Sequence, residues 1–477
     1  MWYINSFFAK IFTMKKNPHS SAFFSLKIIF IKSVVICVNL WLIFNFLSCT
    51  KKLTPEELEA QRLLAEAERE ESIQNAKNAA VSEYVASLSD EVKISQLFLV
   101  NIEGSERYHA VEKTGSLYGN PEEGTPLVPG GVLLFSYNVS KDPLETYEYI
   151  KSIRDFYLAN ENLPPFVAVD QEGGDVNRLR GLTSVLWSEK KVADSFSLEG
   201  AAELYSAQAR QMKNLGFHMN LAPVVEVLTE KNKDFLDTRS FGNLEDTLSY
   251  GKNAVTGYES NGIAVVLKHF PGNSSTDPHT GLPEIRLTRA ELEQNYIAPF
   301  RSLLADSSAL LMSHARMTLT DDEQYADSKT PACLSKYWVH DMVRSELGFS
   351  GLVLSDDIFM GALAENGYPP ETAAFEALCA GIDVIMLSEK RFGRVAGIIL
   401  SKAKEDADFA SEVNRAVENV IRFKISAGIL TLKEMSDGGD GEIPRFAVEV
   451  TDTYEDFDLH KFNEDYKAGM NAYELSK

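Results

Sequence analysis

Four cysteines among 477 residues are too few and too poorly placed to staple a small secreted scaffold. Cys37 lies inside an apolar run near the start, and Cys333 and Cys379 sit in or beside apolar segments. No group of His, Cys, Asp and Glu has metal-ligand spacing, so neither a metal nor another cofactor is expected. No glycine-rich phosphate fingerprint follows the first apolar run, which argues against a doubly wound nucleotide-binding sheet. Residues 1–52 hold no acid at all, only seven lysines; the remainder carries 40 basic against 69 acidic side chains, and the whole chain has a net charge of −22. A body this acidic repels phosphate backbones, so nucleic acid is not an expected partner, whereas a neutral sugar is not repelled.

The basic N-terminus reads as a targeting segment. Lys15 and Lys16 follow Met14, a second candidate start, and Lys27 and Lys32 precede the apolar run Ser33–Ser48. Sixteen residues are short for a membrane-spanning helix. Cys49 follows immediately, and the arrangement resembles a bacterial lipoprotein signal with Cys49 as the lipidated residue; an uncleaved membrane anchor is the other reading. Both put the body on a membrane, outside the cytoplasm, in the bacterial cell envelope. Residues 50–89 form a polar spacer: Thr54-Pro55-Glu56-Glu57 starts a helix, and the Ala/Glu/Leu/Arg-rich stretch to about Ala80 shows no sustained heptad.

From about residue 90 eight short apolar runs recur: Leu97–Val100, Gly131–Phe135, Phe166–Val169, Met219–Val224, Ile263–Leu267, Ala309–Met312, Leu352–Leu354 and Val384–Leu387. Near-continuous hydrophobicity suits parallel strands covered on both faces. Helical stretches between them close on glycine, at Gly216, Gly262, Gly348 and Gly381, with Gly428 ending the last. Eight such units over residues 90–430 predict a (β/α)8 TIM-type barrel as the single catalytic domain. Residues 431–477, opened by Asp437-Gly438-Gly439-Asp440-Gly441, read as a loosely ordered acidic extension.

Active sites of such barrels form where strands end and the following loops begin. Here those positions are unusually polar: Asp170 after the third run, Lys268-His269 after the fifth, His314 after the sixth and Asp356-Asp357 after the seventh. Ala168-Val169-Asp170-Gln171-Glu172-Gly173-Gly174, Lys268-His269-Phe270-Pro271-Gly272, Asp277-Pro278-His279 and Leu354-Ser355-Asp356-Asp357, in this order, resemble the successive signatures of glycoside hydrolase family 3, nearest its single-domain β-N-acetylglucosaminidases.

The resemblance implies a retaining, two-step mechanism. Asp356 would attack the anomeric carbon and form a glycosyl-enzyme. His279, oriented by Asp277, would protonate the departing oxygen and then deprotonate water, in place of the usual second carboxyl group. Asp170, Arg178, Arg239, Lys268, His269 and His314 would bind the sugar, and Glu172 would be structural. The sequence departs from the family in three places. The loop Asn273-Ser274-Ser275-Thr276 is about two residues short, Asp175 stands where a basic residue is common, and Glu226 replaces an aspartate; the last two are expected at the pocket rim. The expected substrate is terminal β-linked N-acetylglucosamine in peptidoglycan fragments or related oligosaccharides. A family 3 β-glucosidase, a sugar-binding lipoprotein with little catalysis, and phosphate in place of water as acceptor are the alternatives. Oligomeric state is not legible.

Overall fold

The computed structural model describes residues 54–106, 128–278, 281–321, 327–387, 391–435, 443–451 and 455–476. The N-terminal segment expected to act in targeting, with Cys49, lies outside these. Among the described residues no helix is long and apolar enough to cross a membrane. The chain divides into two units, residues 1–80 with 434–446 and residues 81–433 with 447–477.

The helix α1 (Pro55–Ser87), which lies in the first unit as far as Ala80, begins as its sequence predicts. The Thr54 hydroxyl accepts from the Glu57 amide at 3.2 Å and the Glu57 carboxylate accepts from the Thr54 amide at 2.7 Å, so two otherwise orphaned donors are satisfied. Most side chains of its first five turns are exposed.

In the second unit eight parallel strands close into a barrel: β1 (Phe98–Asn101), β2 (Gly131–Leu134), β3 (Phe166–Val169), β4 (Met219–Asn220), β5 (Ala264–Phe270), β6 (Ala309–Met312), β7 (Leu352–Asp357) and β8 (Val384–Leu387), with β8 pairing back to β1. These are the eight runs read from the sequence. β4 is shorter than its apolar run, which continues only as a single bridge from Val224 to Lys268. β5 and β7 run further than their apolar stretches, to Phe270 and Asp357, so the candidate residues Lys268, His269 and Asp356 stand on the strands themselves.

Alternation divides the core into two layers. Leu99, Leu133, Ala168, Met219, Val266, Leu311, Leu354 and Met386 fill the barrel interior, while Phe98, Val100, Val132, Val167, Val265 and Val353 face the surrounding helices. At the amino-terminal end Phe166 fills the interior so tightly that a Cβ on Gly131 would stand 2.3 Å from its ring. Phe423 packs edge-on against that ring at 5.2 Å and, with Val420 and Ile429, closes this end.

The helices α2 (Asp90–Gln96), α3 (Pro143–Ala159), α4 (Leu198–Leu215), α5 (Leu244–Glu259), α6 (Pro370–Ala380), α7 (Phe392–Glu405) and α8 (Ala407–Ser426) surround the strands, with helical stretches at 289–303 and 337–346. Side chains of Asp142, Ser197 and Asn243 cap α3, α4 and α5. All five glycines expected after helices have positive φ, from 65° at Gly348 to 110° at Gly381.

The C-terminal region departs from the loose extension expected of it. Strands at Leu430–Glu434 and Phe446–Val450 pair, and α9 (Leu459–Asn471) docks on α4. Phe462, Asp465, Gly469 and Ala472 form its buried stripe. Asp465 pairs with Arg210 at 2.5 Å, and Asn214 bonds both the amide and the carbonyl of Asp458.

Candidate active site

At the carboxyl-terminal mouth, β3 hands over to a short hairpin, Gln171–Gly173 against Val176–Asn177. The Gln171 side chain bonds Asn177 and the Leu179 amide, which fixes the hairpin. Gly173 is required, since its φ is +102° and a Cβ would lie 2.1 Å from the Trp187 carbonyl oxygen. Asp170 and Glu172, two residues apart in extended chain, point to one side. Both meet Lys268 of β5, whose Nζ lies 2.7 Å from Asp170 Oδ1 and 2.5 Å from Glu172 Oε1. Arg239 closes the network with a bidentate pair to Glu172, at 2.8 and 2.9 Å, its guanidinium 5.2 Å from the Phe235 ring centre.

Electrostatics separates the two carboxylates. Burial raises the Glu172 pKa, but Lys268 and Arg239 outweigh it and hold the group at about 2. Burial also raises Asp170; it shares Lys268 with Glu172 and lies further from Arg239, so its pKa stays above the ordinary value. Burial would lower Lys268, yet the two acids raise it. Glu172 is therefore the permanent anion that organises two cations, as its structural reading required. Asp170, 23% exposed, is the carboxylate of the pair that opens to the mouth.

His269 is fixed from below. Four donors converge on buried Glu226: His269 Nδ1 at 2.7 Å, the His269 amide at 3.2 Å, and the Asn273 amide and side chain at 2.6 and 3.1 Å. A carboxylate accepting from Nδ1 leaves Nε2 for a ligand. Glu226 is thus not a rim residue, as expected from its substitution, but a buried brace; its longer side chain holds both the histidine and the start of the shortened loop. Asp175 is exposed. Beyond Asn273, the Ser275 amide bonds the Lys231 carbonyl, and Asp277 is exposed, with its carbonyl accepting from Gly281. His279 lies outside the described residues, so the Asp277–His279 pairing is not described.

Asp356 is buried near the end of β7, and its Oδ1 accepts from the Asp357 amide at 2.8 Å. The Asp357 carboxylate accepts from the Phe359 amide, so the second acid takes the turn-capping role. His314 differs from expectation. Its Nε2 donates to the Asp357 carbonyl at 2.9 Å, and its Nδ1 lies 3.2 Å from the Cys333 sulfur. Both nitrogens are committed within the protein, so His314 braces the end of β7 instead of binding sugar. Arg178 lies over the Phe135 ring at 5.3 Å, and Phe135 rests on the barrel interior. The sequence pointed to Glu226 only as a rim residue, and it gave no signal for Cys333 beyond its place in an apolar segment.

The sequence profile of the glycosyl hydrolase family 3 N terminal domain matches residues 91–423, which is most of the chain. The chain belongs to glycoside hydrolase family 3. This family 3 barrel is 28% identical over 273 residues to "Beta-hexosaminidase A" of Pseudoalteromonas piscicida, covering 54% of this chain but only 45% of that relative. It is 31% identical over 267 residues to "Beta-hexosaminidase" of Alkalilimnicola ehrlichii, covering 54% of this chain and 73% of the other. A solved family 3 β-N-acetylglucosaminidase from Paenibacillus sp. FPU-7 superposes with a TM-score of 0.66 at 24% identity, covering 82% of this chain and 69% of that one, and so shares its fold.

Proposed function

We propose that this family 3 glycoside hydrolase is a retaining β-N-acetylhexosaminidase that removes terminal β-linked N-acetylglucosamine, with Asp356 as nucleophile. The observation that carries the reading is the placement of Asp356: buried at the end of β7, one oxygen held by the next amide, across the mouth from the Asp170–Lys268 pair. Among the described residues its second oxygen makes no bond within the protein.

In the first step Asp356 Oδ2 bonds to the anomeric carbon as the glycosidic bond breaks. The leaving oxygen keeps the electron pair and takes a proton from His279, which Asp277 orients. In the second step water attacks the same carbon, gives its proton to His279, and releases the aspartate. Peptidoglycan fragments are the proposed substrates and tethering through lipidated Cys49 the proposed location. Membrane association lost in Cys49→Ala would support the tether, and soluble full-length protein would remove it.

A 5-fluoro N-acetylglucosaminyl fluoride tests the chemistry by trapping the glycosyl-enzyme. The label is expected on Asp356, and Asp356→Asn is expected to lose roughly four orders of magnitude in kcat. A label elsewhere together with an active Asp356→Asn enzyme would overturn the assignment. Faster turnover in phosphate, with sugar 1-phosphate as product, would replace hydrolysis by phosphorolysis.

A further inference from the structure

We infer that Tyr137 and Asn101 form a recognition wall for the C5–C6 hydroxymethyl edge of the terminal sugar, a role that deepens the hexosaminidase reading and rests on it. Tyr137 is 56% exposed at the end of β2. It is nevertheless held in three ways. Its ring stacks on Phe135, 5.7 Å between centroids and 3° from parallel. Its hydroxyl accepts from Asn101 Nδ2 at 3.1 Å. Its turn is locked by Asn138, whose side chain accepts from the Phe135 amide and donates to the carbonyls of Ile102 and Gly104. A rigid, exposed aromatic ring is a preorganised surface.

The same corner holds two unmade hydrogen bonds. Asn101, two residues after the inward-facing Leu99, has a buried Oδ1 with no partner among the described residues, and so does the Nε of Arg178, which covers Phe135. One acceptor, one donor and an apolar face match an amphipathic ligand with hydroxyls beside a C–H face. A protein partner needs roughly 800 Å² per side, far more than one ring offers.

Barrel order says which part of the sugar lies here. β3, which carries Asp170, is four strands from β7 in either direction round the eight, so Asp170 stands across the mouth from Asp356. In a pyranose C4 lies opposite C1. With C1 at Asp356, the C4–C6 end is directed to the sector of β3 and its neighbour β2, where Tyr137 stands, and Asn101, at the end of β1 on the far side of β2, reaches in to bond the Tyr137 hydroxyl.

The test compares kcat/KM for 4-nitrophenyl N-acetyl-β-glucosaminide with its 6-deoxy and 6-O-methyl analogues. The ratio between substrates does not depend on how much of a variant folds. Wild type is expected to prefer the parent over the 6-deoxy sugar by about tenfold, and Asn101→Ala to lose most of that preference. Tyr137→Ala is expected to accept the 6-O-methyl sugar about tenfold better relative to the parent, with Tyr137→Phe in between. Ratios unchanged from wild type in both alanine variants would overturn the wall. If wild type cleaves no N-acetylglucosaminide, the hexosaminidase reading fails by itself; calorimetric affinities for N-acetylglucosamine and its 6-deoxy analogue then decide the wall by the same ratios.

Discussion

Two lysines are buried at opposite ends of one barrel, and their surroundings drive them in opposite directions. Lys268, at the mouth, is clamped between Asp170 and Glu172, and its pKa is raised despite burial. Lys424, on α8 at the amino-terminal end, is just as buried but among the described residues bonds only the Gln96 side-chain oxygen at 2.5 Å and the Pro164 carbonyl at 2.8 Å. Burial alone pulls it down to about 7. Desolvation is common to both; opposite charge is present at only one. The mouth is organised by charge and keeps its cations, whereas the far end is organised by packing around Phe166 and Phe423 and tolerates a lysine at the edge of neutrality.

The largest effect should come from removing the cation where charge organises the site. Lys268→Met leaves Asp170 and Glu172 facing each other, with Arg239 holding only Glu172. A loss of about 3–5 kcal/mol in unfolding free energy is expected from breaking the buried network. Turnover should fall steeply as well, since Asp170 is then neither charged nor aimed. Urea unfolding with Lys268→Met and Glu172→Gln, singly and together, reads the coupling. Simple additivity would show that the two do not act as a unit, and the contrast with Lys424 would lose its basis.

At the other end the signature is a slope in pH. The unfolded lysine holds its proton to about 10.4. The folded one loses it near 7, so between those values the unfolded state binds more protons. Stability should therefore rise with pH across that window, by an amount on the order of a few kcal/mol, and be flat below 7 as far as this group is concerned. Lys424→Met should remove the rise. A wild-type slope that survives in the variant would mean that Lys424 is charged throughout, and that two polar oxygens suffice to hold a buried ammonium.

How much of this was legible follows the same division. The strands announced themselves because each is continuously apolar, and the helix ends because a left-handed residue there favours glycine. Asp170, Lys268, His269 and Asp356 stood out because strand ends in a barrel should not all be polar. What sequence order could not show was pairing across distance. Glu172 meets Arg239 across 67 positions, Glu226 meets His269 across 43, and His314 meets Cys333 and Asp357, so a histidine that read as a sugar ligand is a brace. The C-terminal helix was missed for a related reason. Phe462, Gly469 and Ala472 do repeat at helical spacing, but an acidic composition and a glycine-rich approach masked a stripe so narrow.

The smallest expected effect tests whether bracing at the mouth extends to a single thiol. A backbone carbonyl can only accept, so His314 Nε2 must carry the proton that reaches Asp357, and in the neutral ring Nδ1 is then an acceptor. Cys333 supplies the donor: burial, and then the nearby charge of Asp356, push its thiol pKa up, so it stays protonated. Cys333→Ala deletes that donor, frees the ring to exchange tautomers, and loosens the peptide beside Asp356, the proposed nucleophile. A fall in kcat of about threefold is expected, the worth of one neutral hydrogen bond, with KM little changed because no sugar contact is lost. Cys333→Ser keeps a donor in the same place and should restore most of the rate. Equal rates for the serine and alanine variants would mean that the sulfur fills space only, and would leave the mouth, below its charged layer, as much a matter of packing as the far end.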